Sequence, residues 1–178
     1  MFDPISSDGL DAQWSHDHGD THASFQWDNE AWTVRVIDHA RQAETVLRVS
    51  PTWSVRQVLV FRDLPEPDLW LGTDGTGRWG EVNGIYRNEL DGGTDLVLAG
   101  VPVADTLVAR RLGLASGDHA EVTMIDIDLE TLAVELVTAR YHRVEHRRWM
   151  RTVDGTSTEF EVDDHGIVID VDDYRRVR

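Results

Sequence analysis

The chain has 178 residues, of which 40% are hydrophobic and 28% charged, enough for one domain with a sizeable core. Seventeen basic residues against 33 acidic ones give a net charge of −16, which argues against DNA, RNA or anionic membrane surfaces as partners, because these need a basic face. The absence of cysteine excludes disulfides, zinc–thiolate sites and thiol nucleophiles.

Short alternating runs dominate the chain. Trp32, Val34 and Val36 alternate with Thr33 and Arg35, and the run from Trp53 to Phe61 is apolar enough to be covered on both faces. Further strands are predicted over Leu69–Thr73, Trp79–Val82, Ile85–Leu90, Leu96–Ala99, Glu121–Leu129, Leu132–Val144, Arg148–Val153, Thr158–Val162 and Ile167–Val171. Period-two spacing of β-branched and aromatic residues marks half-buried strands. Turn chemistry separates them at Asp74–Gly77, Asp91–Gly93, Ser116–Asp118, Asp154-Gly155 and His165-Gly166. Two segments could be helical: Asp38–Leu47, which could equally run into the next strand, and Ala104–Leu112. The expectation is an all-β, mainly antiparallel sheet that curls or closes, with one or two short helices. The apolar runs fall far short of the ~20 residues of a membrane span. The N-terminus lacks the pattern of a signal peptide, so the expected compartment is the cytoplasm.

All 17 basic residues are Arg, and Asp outnumbers Glu by 22 to 11. Salt adaptation and GC-rich coding both produce that bias, and neither bears on chemistry. Without Lys there is no Schiff-base lysine and no Walker A motif, and neither a GxSxG elbow nor a dinucleotide fingerprint is present. Carboxylate pairs such as Asp126/Asp128 read as solvated strand ends in so acidic a chain. The segment His16-Asp-His-Gly-Asp-Thr-His22 resembles the HxHxDH motif of metallo-β-lactamase-type hydrolases, with Thr21 inserted before the last histidine. On an extended strand His16, His18, Asp20 and His22 would share one face, which defines an alternative: a small metal-dependent hydrolase. The competing reading of that segment is a polar N-terminal hairpin.

Two features point to ligand binding. The segment Arg140–Arg151 concentrates five Arg and two His, and guanidinium forks match phosphate and carboxylate; pairing with neighbouring acidic strands is the structural alternative. Seven tryptophans, most of them in candidate strands, could line a pocket or stack on sugars, although each taken singly suits a core.

Three segments carry a resemblance to a known family: Val101-Pro-Val-Ala-Asp-Thr-Leu-Val-Ala-Arg-Arg-Leu112, Ala139-Arg-Tyr-His-Arg143 and Thr158–Asp170. Together with Trp14 and Trp53-Ser-Val-Arg56, their order and spacing resemble those of bacterial putative glycolipid-binding proteins, first catalogued as a domain of unknown function. The chain departs from that pattern at Asp105, at Val108-Ala109, at Ala139 and at Val171-Asp172, as a divergent member would. The resemblance implies one domain over residues 1–178, a strongly curved β-roll or half-barrel similar to lipoprotein-carrier half-barrels. It implies no catalytic residues and no cofactor. The expected activity is therefore non-catalytic binding of an amphipathic lipid or glycolipid-like small molecule on a partly vacant concave face. Arg110, Arg111, Arg140, Tyr141 and Arg143 are the expected head-group contacts, and Trp53 and Trp149 the aromatic lining. A ligand-free structural protein is the remaining alternative.

Overall fold

The computed structural model describes residues 2–63, 65–98 and 101–177. Fourteen strands form one sheet. The first seven are β1 (Leu10–Ser15), β2 (Thr21–Asp28), β3 (Ala31–Asp38), β4 (Ala43–Val49), β5 (Val55–Phe61), β6 (Leu69–Thr73) and β7 (Trp79–Glu81). After a 3₁₀ turn at Asn88–Leu90 come β8 (Asp95–Leu98), helix α1 (Pro102–Leu112), β9 (His119–Ile127) and β10 (Val134–Arg143). The chain ends in β11 (Arg148–Val153), β12 (Thr156–Val162), β13 (Val168–Val171) and β14 (Tyr174–Arg176). The spatial order is β7-β6-β5-β4-β3-β2-β1-β14-β13-β12-β11-β10-β9-β8, so two seven-strand meanders meet where β14 pairs with β1. Every neighbouring pair is antiparallel except β8 and β9, which are joined through α1 and run parallel, as a helical crossover requires.

The sheet is not closed; it rolls. One face carries a continuous apolar band that includes Trp14, Phe25, Val34, Leu47 and Val58 in the first half and Phe160, Trp149, Tyr141 and Val122 in the second. In β9 both faces are buried, with Val122 and Met124 on one side and Ile125 and Ile127 on the other. The second face is covered by the far end of the sheet. Trp79 Nε1 donates to Gly93 O at 2.9 Å, and Arg62 at the end of β5 donates to Glu130 O at 2.9 Å in the β9–β10 turn. The first meander therefore overlaps the outside of β8–β10 in a spiral, and the interleaved side chains form one core.

The concave face is occupied by the chain itself. Pro102 through Ala109 of α1 are all buried, the pattern of a helix surrounded by protein. Pro102 opens the helix, where its missing N–H costs nothing, and Gly113, at φ 55°, closes it in the left-handed conformation. Two buried acid–arginine pairs of opposite polarity fasten α1 to the sheet. Asp105 of the helix accepts from Arg151 at 2.7 Å and from the Tyr141 hydroxyl at 2.7 Å, while Arg111 of the helix holds Asp95 of β8 through two bonds of 2.6 Å. The buried backbone N–H of Val168 donates to Thr106 Oγ1 at 3.0 Å. The interior expected from the sequence to be partly vacant is mostly filled by α1 and the core aromatics, and what remains open on that face is a cleft of about 350 Å³ lined by Val97, Asp126, Val137, Arg151, Val153 and Thr158.

Other expectations differ in detail. The helix over Ala104–Leu112 forms, two residues longer at its start. Asp38–Leu47 is a turn followed by β4: Asp38 Oδ1 accepts the N–H groups of Ala40 and Arg41, which closes an Asx-type turn, and β4 buries alternate residues. Ile85–Leu90 is loop and 3₁₀ turn, because Asn83, Gly84 and Asn88 favour turns. The strand expected over Leu96–Ala99 is seen as β8; Ala99 lies outside the described residues. Trp53 sits in the β4–β5 turn with φ 67°, two residues before β5, the strand predicted to begin with it.

Two variants test this architecture. Arg151→Met should destabilise the protein by about 3–5 kcal/mol in urea titrations, because it strands the buried Asp105 carboxylate. The double variant Asp105→Asn/Arg151→Met, in which the amide oxygen can still accept from Tyr141, should recover most of the loss. At the overlap, a Cβ on Gly93 would stand 2.6 Å from Ile125 Cγ1 and 3.2 Å from Leu136 Cδ2, so Gly93→Ala should cost about 1–3 kcal/mol by overpacking. Unchanged stability in Gly93→Ala would contradict the spiral overlap.

Candidate functional site

Where α1 ends, its last turn meets the β4–β5 turn and the N-terminal segment. Phe2, Trp53, Arg110, Gly113, Leu114 and Ala115 line a cleft of about 410 Å³ there. Its floor is aromatic. Phe2 stacks on Trp149 at 6.2 Å, and Trp149 stacks on Phe160 at 6.1 Å. On the other side Trp53 stacks on Trp32 at 5.3 Å, and Trp32 meets the half-exposed Trp27 edge-on at 5.1 Å. A ladder of three indoles thus runs from the β2–β3 hairpin tip to the cleft. Trp53 holds its ring there despite a left-handed backbone that costs a bulky residue roughly 1–3 kcal/mol.

Two guanidinium groups flank the aromatic floor. Arg110 lies over the Trp53 ring with Cζ 4.0 Å from its centroid. It donates to the carbonyl oxygen of His165 and, at 3.5 Å, to that of Asp3. Arg143 is almost wholly buried over Phe2 and Trp149, at 5.0 and 5.6 Å, and donates to the carbonyl oxygens of Leu114 and His146. Neither pairs with a carboxylate. Burial lowers the pKa of both, that of Arg110 to about 10. Burial also leaves Arg110 Nε and Trp149 Nε1 without hydrogen-bond partners. The arrangement offers an apolar opening with fixed positive charge at its edge.

Of the seven residues singled out from the sequence, Trp53 and Arg110 line this cleft, and Arg143 and Trp149 lie buried behind Phe2. Tyr141 lies deeper and fully buried; its hydroxyl is committed to Asp105, and burial together with that carboxylate raises its pKa well above 10. Arg111 points away from the cleft to Asp95. Arg140 projects from the opposite face of β10, exposed, because it alternates with the inward-facing Ala139 and Tyr141. Phe2 and Leu114 were missed. Nothing periodic marks Phe2, but Leu114 follows the glycine that stops α1, a position where an apolar residue commonly packs back on the helix. A larger cleft of about 530 Å³ near Glu145–Arg148 and Glu159–Glu161 gathers none of the seven, and its Arg147 and Arg148 are ion-paired.

The metal alternative is corrected by the geometry. Residues 16–22 do not form one extended strand: the chain turns at Asp17–His18, Gly19 has φ 142°, and β2 starts only at Thr21. His16 stacks on Tyr174 at 4.6 Å and accepts the N–H of His18, Asp20 accepts from Gln13, and His22 lies 3.4 Å from Asp11. Among the described residues no group of three or more His, Asp or Glu is placed to hold a metal ion.

Residues 12–176 match the model of a family described as putative glycolipid-binding. No curated protein matches the chain. Among solved structures, the crystal structure of a DUF1089 family protein from Pseudomonas aeruginosa superposes with a TM-score of 0.70 at 23% identity, covering 99% of this chain and 95% of that one. At that identity the likeness speaks for the fold, a curved all-β roll. No helix among the described residues is long and apolar enough to cross a membrane.

The two flanking arginines of β10 should behave oppositely. Arg143→Gln removes charged hydrogen bonds to buried carbonyls and should cost about 1.5–3 kcal/mol in thermal or urea denaturation. Arg140→Gln, on the outer face, should stay within about 0.5 kcal/mol of the parent.

Proposed function

The chain belongs to the putative glycolipid-binding family, and from that premise we propose that it is a non-catalytic binder of an amphipathic lipid or glycolipid-like molecule, acting as a single domain over residues 1–178. The bound molecule sits in the cleft of Phe2, Trp53, Arg110 and Leu114, which combines aromatic rings with an arginine free of ion pairing among the described residues, whereas the arginine in the remaining opening on the concave face, Arg151, is bonded to Asp105. The observation that carries this reading is the union, at one opening, of an aromatic ladder with polar donors beside it.

Each part suits one end of such a ligand. Phe2, Leu114 and the Trp53 ring give an alkyl chain apolar surface, at about 25 cal/mol per Å² removed from water. The Phe2 ring and the exposed edge of Trp53 suit the apolar part of a head group, and the Arg110 guanidinium suits its oxygens. Like most small-molecule sites, the cleft is mainly apolar with a few placed polar groups.

Dodecyl maltoside below its micellar concentration provides a defined probe. Isothermal titration should show saturable binding at one molecule per chain. Phe2→Ser, with an unchanged circular dichroism spectrum, should weaken it at least tenfold, equivalent to about 1.4 kcal/mol. Absence of saturable binding by the parent protein, or an unaffected Phe2→Ser variant, would refute the cleft as the site.

A further inference from the structure

Arginine pairing across the molecule narrows the kind of head group. Among the described residues, every other arginine that is buried or half-buried is ion-paired with an Asp or Glu; Arg41 with Asp38, Arg87 with Glu81 and Arg176 with Asp163 are examples. Arg110 and Arg143 alone are drawn out of water with only carbonyl oxygens and aromatic rings for company. This happens in a chain of net charge −16, where carboxylates are the commonest available neighbours.

The nearest acid cannot serve as a hidden partner. Asp163 Oδ2 is taken by Arg176 at 2.6 Å, and its Oδ1 accepts the N–H groups of His165 and Ile167 at 2.9 Å each. Arg143 spends its donors on Leu114 and His146, so it contributes charge rather than a free hydrogen-bonding edge. Arg110 is different: it lines the cleft, it has no carboxylate bonded to it among the described residues, and the Trp53 ring holds its plane in place. Asp163 attracts Arg110 without bonding it, so the desolvation of the guanidinium is only partly compensated, and an incoming anion would relieve the rest.

We infer that the cleft is specific for an amphiphile with an anionic head group, a carboxylate or phosphate on an alkyl or acyl chain, with Arg110 as the contacting residue and Arg143 as a second fixed charge behind it. This rests on the cleft reading above and adds the charge of the ligand. With Nη1 held by the carbonyl oxygens of Asp3 and His165, the guanidinium meets either anion through its charge and its remaining exposed edge. The depressed pKa of Arg110 accords with a cation whose counter-ion arrives from outside.

Dodecyl phosphate, dodecyl maltoside and inorganic phosphate, titrated in parallel at low salt, separate the possibilities. Dodecyl phosphate should bind at least tenfold more tightly than dodecyl maltoside, and the preference should shrink as NaCl is raised. In Arg110→Gln the two amphiphiles should bind within about threefold of each other, while Arg140→Gln keeps the parent's preference. If Arg110→Gln proves unfolded by circular dichroism, Arg110→Lys and the salt dependence of the parent give the same readout. Inorganic phosphate at least a hundredfold weaker identifies a lipid head group as the source, and inorganic phosphate of equal affinity identifies a free anion instead and overturns the amphiphile. Equal binding of the two amphiphiles by the parent overturns the anionic preference while leaving the cleft intact. No saturable binding of either overturns the cleft itself.

Discussion

The architecture depends on a helix held inside a sheet by two salt bridges that run in opposite directions. Asp105 reaches from α1 to Arg151 of the sheet, and Arg111 reaches from α1 to Asp95. A buried pair of this kind adds little net stability over an apolar replacement, but breaking it is expensive, so it selects one placement of the helix over all others. With two pairs at either end of two helical turns, α1 can neither rotate nor slide without exposing a charge to the core. The position of Arg110 at the cleft follows directly, since it precedes Arg111 on the same turn. A clamp made for the fold therefore also aims the group proposed to meet a ligand.

Strand-built architecture was legible because its signal is local. Alternating side chains and glycine-rich turns mark most of the fourteen strands, and the proline-led, glycine-ended segment around residues 102–113 marks the helix. What could not be read was placement in the third dimension. Nothing in Val101–Leu112 announces that the helix lies within the roll, although its lack of a polar face over residues 102–109 was an available hint: Asp105 and Thr106 look like surface residues until Tyr141, Arg151 and Val168 are seen to meet them. The strands β1, β2 and β14 also escaped notice. β1 carries Asp11 and Gln13 on its outward face, and β14 has only three residues.

Site residues were legible in type rather than in direction. Pleating decides that Arg143 and Trp149 face inward while Arg140 faces water, and one register places Arg143 directly opposite Trp149. Sequence alone identified the arginine-rich strand but not which arginines would lack acidic neighbours. Most of them do pair across strands or turns, as Arg147 does with Asp164 and Arg148 with Glu145. The exceptions stand out only against that background.

The β1–β14 junction has a consequence for how the molecule is made. Each seven-strand meander consists of neighbours in sequence, so nearly all its pairings close over short loops, but the seam at Trp14–Arg176 and Ser15–Arg175 joins opposite ends of the polypeptide. The entropy of long-range closure is concentrated in that single ladder. The first meander can assemble as it is synthesised, whereas the seam must wait until β14 is available. β1 and β14 thus lie side by side in the middle of the sheet, an arrangement in which a peptide linker across them, with the chain opened at the exposed Asn83-Gly84 turn, would preserve every strand neighbour.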